Sequence, residues 1–269
     1  MSAPDRLAAA RRVLRRERRR TVDEREAFAA FRAAVREVPA ERERPQAGHR
    51  RQLPTGPGGP GLAGPGASTP SGGVATVLEA YVGTVMAVPH YEEEYGDTLA
   101  ESLEVEFGRE VAAGLLGHDR LTPWLKRAVL DSVDAAHAER EQFVGALDVE
   151  ADSLRSSEDR LVAVLDELAD LADEPTPDFG ALDAVRARLG VLASDCDAVA
   201  DDRQATLREW QDRFDAPVGV PDLPRYLYTA LDATYPVLAT VADVGEHVTR
   251  LRRRVEREMA APSRDDADA

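Results

Sequence analysis

From Trp124 to Glu174 the sequence runs for 51 residues without a proline, and Gly145 is the single glycine in that stretch. Thr122 and Pro123 stand just before it, a residue that accepts a hydrogen bond from a first-turn amide followed by one whose fixed φ suits the first helical position. Within the run, Val144, Leu147, Ala151, Leu154, Glu158, Leu161, Leu165, Leu168 and Ala172 step by three and four. That spacing predicts one long helix with an apolar seam over four heptads, interrupted by Glu158. At ~1.5 Å per residue such a helix is about 75 Å long. A chain with this element has few choices: the helix needs other long helices to cover its seam.

Those helices are legible on either side. Residues 5–38 carry Leu7, Ala10, Leu14, Phe28, Phe31, Val35 and Val38 at helical spacing, with Glu17, Thr21 and Glu24 breaking the seam midway, and Pro39 ends the segment. A second heptad run follows Pro175 and Pro177: Leu182, Val185, Leu189, Leu192, Cys196 and Val199, then Arg203, Thr206 and Trp210. The segment from Ala216 to Pro224 breaks it. A third run covers Thr234, Leu238, Val241, Gly245, Val248, Arg252, Val255 and Met259, with Pro236 starting or kinking its helix.

The expected fold is all-α. Long antiparallel helices joined by short turns pack as a three- or four-helix coiled-coil bundle, with a small helical subdomain attached. Its parts are a basic N-terminal helix (1–38), a disordered Pro/Gly linker (39–73), the small subdomain (74–121), the long-helix bundle (122–262) and a disordered tail (263–269). Seven prolines and nine glycines in residues 39–73 leave too little apolar surface to offset ordering. In the subdomain, Thr76 with Glu79 and Thr98 with Glu101 are capping-box pairs that predict two helix starts. Pro89 and Gly96 fall between these helices.

Charge sharpens the picture. The net charge is −16, from 50 acidic residues against 33 Arg and one Lys, Lys126. Residues 1–51 carry 15 Arg and 8 acids; the remainder is strongly acidic. An acidic excess almost without lysine fits a salt-rich cytoplasm, where screening offsets self-repulsion, or an ordinary acidic protein from a GC-rich genome. The single cysteine excludes an intramolecular disulfide and fits a reducing compartment. The N-terminus lacks a signal-peptide pattern, since arginines occupy the would-be apolar region. No apolar stretch is long enough to insert in a membrane.

The chemistry-bearing candidates are few. Asp134 and His137 have the i, i+3 spacing of helical di-metal sites, and Asp243 and His247 form an i, i+4 pair. A second acid-x-x-His is missing and the other inward carboxylate, Glu158, is 21 residues from His137, so no metal or cofactor is expected. Cys196 sits in a heptad core without a neighbouring His, and no phosphate-cradling or nucleophile motif is present. The expectation is therefore not an enzyme. RRVLRRERRR presents Arg11, Arg12, Arg15, Arg16, Arg18, Arg19 and Arg20 as candidate nucleic-acid contacts. Its arginines lie on every face of the helix and lack stacking aromatics, which favours docking on the acidic body over nucleic acid. The region from Glu92 to Glu110 holds eight acids and one arginine, too acidic for a DNA-reading helix.

The least generic segment is TVMAVPHYEEEYG, residues 84–96. It gathers Met86, His90, Tyr91 and Tyr95 around a proline break, as a partner- or ligand-contacting junction would, or as a plug at the end of a bundle. TVMAVPHYEEEYGDTLAE (84–101) and LTPWLKRAVL (121–130), followed by the long charged helix, resemble an uncharacterised all-helical haloarchaeal family with a domain of unknown function. The resemblance implies a halophilic, helical protein and assigns no residue a role. The expected function is helical interaction or scaffolding with a protein partner whose identity the sequence does not give. The alternatives are a nucleic-acid regulator using the arginine helix and a ligand sensor at residues 84–96.

Overall fold

The computed structural model describes residues 3–41, 72–173, 178–214 and 223–261. Most of the expected linker, the tail at 263–269 and the expected turns near 175 and 216–222 lie outside these residues. Eight α-helices and no strand are formed among those described: α1 (Ala3–Glu37), α2 (Gly73–Thr84), α3 (Tyr91–Glu94), α4 (Leu99–Gly117), α5 (Pro123–Asp173), α6 (Phe179–Phe214), α7 (Leu223–Tyr228) and α8 (Pro236–Ala260). A 3-10 turn (Val85–Ala87) joins α2 to the segment before α3. The all-α expectation holds.

The chain divides into two compact units. One contains residues 20–144. Its core draws Phe28, Phe31, Val35 and Val38 from the first segment together with Val77 and Tyr81 of α2, Leu103 and Phe107 of α4, and Leu125, Val129 and Val133 of α5. Phe31, Tyr81 and Phe107 form an aromatic cluster, with Phe31 edge-on to Tyr81 at 5.2 Å and stacked on Phe107 at 5.9 Å. The first segment runs antiparallel to α5 here, since Glu24 meets Arg140 and Arg32 meets Asp134. Lys126, the one lysine, donates to the carbonyls of Arg36 (2.7 Å) and Val38 (2.6 Å), satisfying acceptors that a helix C-terminus leaves open.

Helix ends follow local rules with one exception. Thr98 and Glu101 form the expected capping box, and Thr122 caps α5 by accepting from Leu125 N at 3.1 Å. Thr76 does not start α2. The helix begins at Gly73 behind Gly72, and Thr76 N already bonds the Gly72 carbonyl. A Cβ on Gly72 would fall 2.2 Å from the Asp119 carbonyl oxygen, so a close backbone approach sets this start rather than a side-chain cap. α4 also carries an unexpected break at Gly108, whose φ of 79° leaves the helical region.

The other unit contains residues 1–19 and 145–269. Leu7, Ala10 and Leu14 are buried in it. α1 runs antiparallel to α5, since Arg11 pairs with Glu158 (2.5 Å) and Arg18 with Asp148 (2.5 Å). α6 also runs antiparallel to α5, since Arg203 pairs with Glu150 and Arg188 with Glu167. The α6 seam is buried as expected from Leu182 to Trp210, except that Thr206 is half-exposed.

On α5 the seam departs from the expected register. Leu147, Leu154, Leu161 and Leu168 are buried, but between them come Glu150, Ser157 and Val164, not Ala151, Glu158 and Leu165. Reading hydrophobicity alone chose Ala151 over Glu150; the structure chooses Glu150 because Arg203 of α6 meets it. α8 is likewise shifted in its first half, burying Val237, Thr240 and Val244, while Arg252 is exposed. A Leu161→Asp test of this core follows directly: Leu161 is 1% exposed, so an unpaired carboxylate there should destabilise the unit by about 3–5 kcal/mol. Thermal melts would read it, and an unchanged midpoint would show that Leu161 faces solvent.

Candidate functional site

In the 20–144 unit, two of the four residues singled out at 86–95, His90 and Tyr95, come together on a group that hydrophobic periodicity flagged only as a break in a seam, with Tyr91 beside them. Glu24 Oε1 accepts from the Tyr95 hydroxyl at 2.8 Å and lies 3.1 Å from His90 Nε2. Its other oxygen accepts from Arg140 Nε at 3.3 Å. Arg140 also donates to Glu106 Oε1 at 2.6 Å, and its guanidinium lies 4.8 Å from the Phe28 ring centroid. After the proline break at Val88–His90, Tyr91 at the start of α3 and Tyr95 just past its end lie side by side, rings 5.5 Å apart. Met86 does not join them; it packs on the hydrophobic core.

Between these groups lies a cavity of about 40 Å³, bordered by Glu24, Tyr91, Tyr95, Asp97, Glu106 and Arg140 on its polar side. Burial pushes the Glu106 carboxyl above the usual range against the pull of Arg140. Burial also raises the Tyr95 phenol, and the Glu24 carboxylate beside it adds to the effect. Sequence reading missed Glu24, Glu106 and Arg140 as site residues. The available signal was a charged residue at a seam position, which a helix tolerates only with a partner.

Three of the seven arginines in the arginine-rich stretch pair with carboxylates of their own chain. Arg11 and Arg18 pair with Glu158 and Asp148 within one unit, and Arg20 pairs with Glu93 and Glu94 within the other. Arg12, Arg15, Arg16 and Arg19 are exposed. Among the metal candidates, Asp134 pairs with Arg32 on the surface and Asp243 accepts from Arg6 at 2.7 Å, so neither acid is joined to its histidine. No group of three or more His, Cys, Asp or Glu is placed for a metal ion among the described residues. Burial raises the Cys196 thiol, and Asp197 and Asp195 add to it, the opposite of an activated nucleophile.

A second feature lies on the 145–269 unit. Leu165, Leu168, Ala169 and Ala172 of α5 and Leu251 of α8 floor an open groove of about 460 Å³. His247, Arg250, Arg254 and Arg257 of α8 line its side, and no carboxylate does. Leu165 and Ala172, expected in the α5 seam, therefore line this groove instead. It continues the strip along which α1 lies against α5, past the level where Arg6 meets Asp243.

Residues 5–252 match a family described as a domain of unknown function, DUF7260. The chain belongs to that family. The membership agrees with the likeness to an uncharacterised helical family and brings no activity with it. Neither the curated proteins nor the solved structures compared with the DUF7260 chain include a match. No described helix is long and apolar enough to cross a membrane.

Proposed function

We propose that this DUF7260 protein is a non-enzymatic interaction protein of a salt-rich cytoplasm, and that its α5/α8 groove receives an amphipathic helix from a protein partner. The partner helix carries an apolar stripe flanked by acids. The observation that supports this reading is the local reversal of charge. On a chain of net charge −16, an apolar floor lined by Arg250, Arg254 and Arg257, the first two with Glu246 and Glu258 one turn along α8 as exposed partners, favours a ligand both greasy and negative. The α5 side of the floor, residues 165–172, spans about 10 Å at ~1.5 Å per residue, room for two turns of a docked helix. What supports the salt-rich setting is the near absence of lysine and the acidic excess.

The test uses two synthetic helical peptides that share a leucine stripe and differ in Glu or Lys flanks. Fluorescence anisotropy with the full chain should show binding of the Glu peptide alone. Arg250→Glu/Arg254→Glu/Arg257→Glu should weaken it by about a hundredfold, as like charges replace complementary ones. Equal binding of the two peptides would reject the reading. A duplex DNA that binds at molar KCl through Arg12, Arg15, Arg16 and Arg19 would instead favour the nucleic-acid alternative, since non-specific phosphate contacts are screened there.

A further inference from the structure

Glu24 is saturated: its two oxygens serve Tyr95, His90 and Arg140. Glu106 is not. Its Oε1 accepts from Arg140, which leaves Oε2 without a donor although the residue borders the cavity. Across the same cavity the Tyr91 hydroxyl is buried without a hydrogen-bond partner of normal geometry, in a residue only 7% exposed. The Ser102 hydroxyl beside it is bonded to Tyr81 Oη at 2.7 Å. A buried phenol without a partner costs free energy and calls for an explanation, and the second Glu106 oxygen, which reaches solvent, is open to a donor on the same side.

The charge balance points the same way. Three carboxylates (Glu24, Asp97 and Glu106) border the cavity against one guanidinium, Arg140. An anion is repelled. The ligand is a cation, and N–H donors suit it: Glu106 Oε2 can only accept, and the Tyr91 oxygen can accept an N–H while its own proton turns to a neighbouring oxygen. The remaining wall is hydrocarbon: Phe28, Val85, Val88 and Val105, the last largely exposed at the mouth.

From the orphaned Tyr91 hydroxyl, the free oxygen of Glu106 and the hydrocarbon wall, we propose that this cavity binds the ammonium end of a primary alkylamine. The ammonium donates to Glu106 Oε2, to Tyr91 Oη and towards Asp97, and its first methylenes lie against Val88 and Val105. A free amine and a lysine side chain from another protein share this chemistry. The site is independent of the α8 groove and does not rest on it.

Titration calorimetry on the full chain tests the proposal with n-butylammonium, Nα-acetyl-lysinamide, tetramethylammonium and butyrate. Butylammonium should bind and displace nothing but water. Tetramethylammonium lacks N–H donors and butyrate has the wrong sign, so neither should bind. Glu106→Gln should weaken butylammonium about tenfold to a hundredfold and Tyr91→Phe about fivefold, as expected for losing a charged and a neutral hydrogen bond. Circular dichroism checks that both variants keep the parent helicity. The probe series on the unaltered chain stands even if a variant unfolds. Binding of acetyl-lysinamide as tight as butylammonium assigns the site to a partner's lysine; binding of butylammonium alone assigns it to a free amine. Absence of butylammonium binding, or equal binding of tetramethylammonium, would overturn the proposal and leave the cavity to water. Equal affinity in Glu106→Gln would overturn it as well.

Discussion

Arg203→Met is expected to destabilise the 145–269 unit by about 3–5 kcal/mol, the cost of removing one partner from a buried ion pair. Arg203 is 1% exposed and Glu150 fully buried, and two guanidinium nitrogens reach the two carboxylate oxygens at 2.8 Å each. Ser153 Oγ accepts from the same guanidinium at 3.0 Å, and the Tyr228 hydroxyl donates to Glu150 at 2.8 Å. Burial raises the Tyr228 phenol, and the adjoining carboxylate reinforces it, so the phenol stays a donor. Without Arg203 the Glu150 charge is left in the core with one phenol and no counter-ion. The triple variant Arg203→Met/Glu150→Leu/Tyr228→Phe should recover most of the loss, because hydrophobic replacements of similar size often match or exceed a buried pair. Urea melts with a probe in this unit would read both. A single variant as stable as the parent would mean that the pair is open to water. A triple variant no better than the single would mean that the network contributes net stability rather than register.

Phe31→Ala carries the second large effect, about 3–5 kcal/mol for emptying a buried aromatic site. Phe31 is fully buried and touches both Tyr81 and Phe107. Three rings from three different helices meet there, so the vacated space has no flexible neighbour to fill it. Phe31→Leu should cost much less, roughly 1–2 kcal/mol, since most of the hydrocarbon remains. Equal effects of the two substitutions on the thermal midpoint would show that aromatic shape, rather than volume, holds this core.

The two α5 registers show where sequence reading stops. Leucines at 147, 154, 161 and 168 were placed in the core from spacing alone, and they are buried. The intervening positions were assigned by carrying the 3-4 spacing through Ala151, Glu158 and Leu165, and the structure took the neighbour on the N-terminal side each time. An isolated helix repeats every 3.6 residues, so two adjacent stripes fit a heptad pattern almost equally well. The stripe carrying Glu150, Ser157 and Val164 faces the core because Arg203 of α6 supplies the partner for Glu150. The stripe carrying Glu158 and Leu165 faces Arg11 and the groove. The 86–95 segment shows the same division. Its break at Pro89 and its Tyr and His content singled it out, yet Glu24 and Arg140 lie 66 and 50 residues from His90.

By itself, then, the sequence determined that the chain is helical, where α5 begins, the Thr98 capping box and nearly all of the buried face of α6. Each is a matter of neighbours within a turn or two, where spacing, a cap or a proline decides the backbone. The tertiary structure alone decided that Glu24, Glu106 and Arg140 share a cavity, that Glu150 and Arg203 pair in a core, and that three arginines of α8 border an apolar groove. Those groupings join residues tens to over a hundred positions apart. The free energy of placing a charge depends on what the facing helix puts opposite it, and that is fixed only when the helices pack.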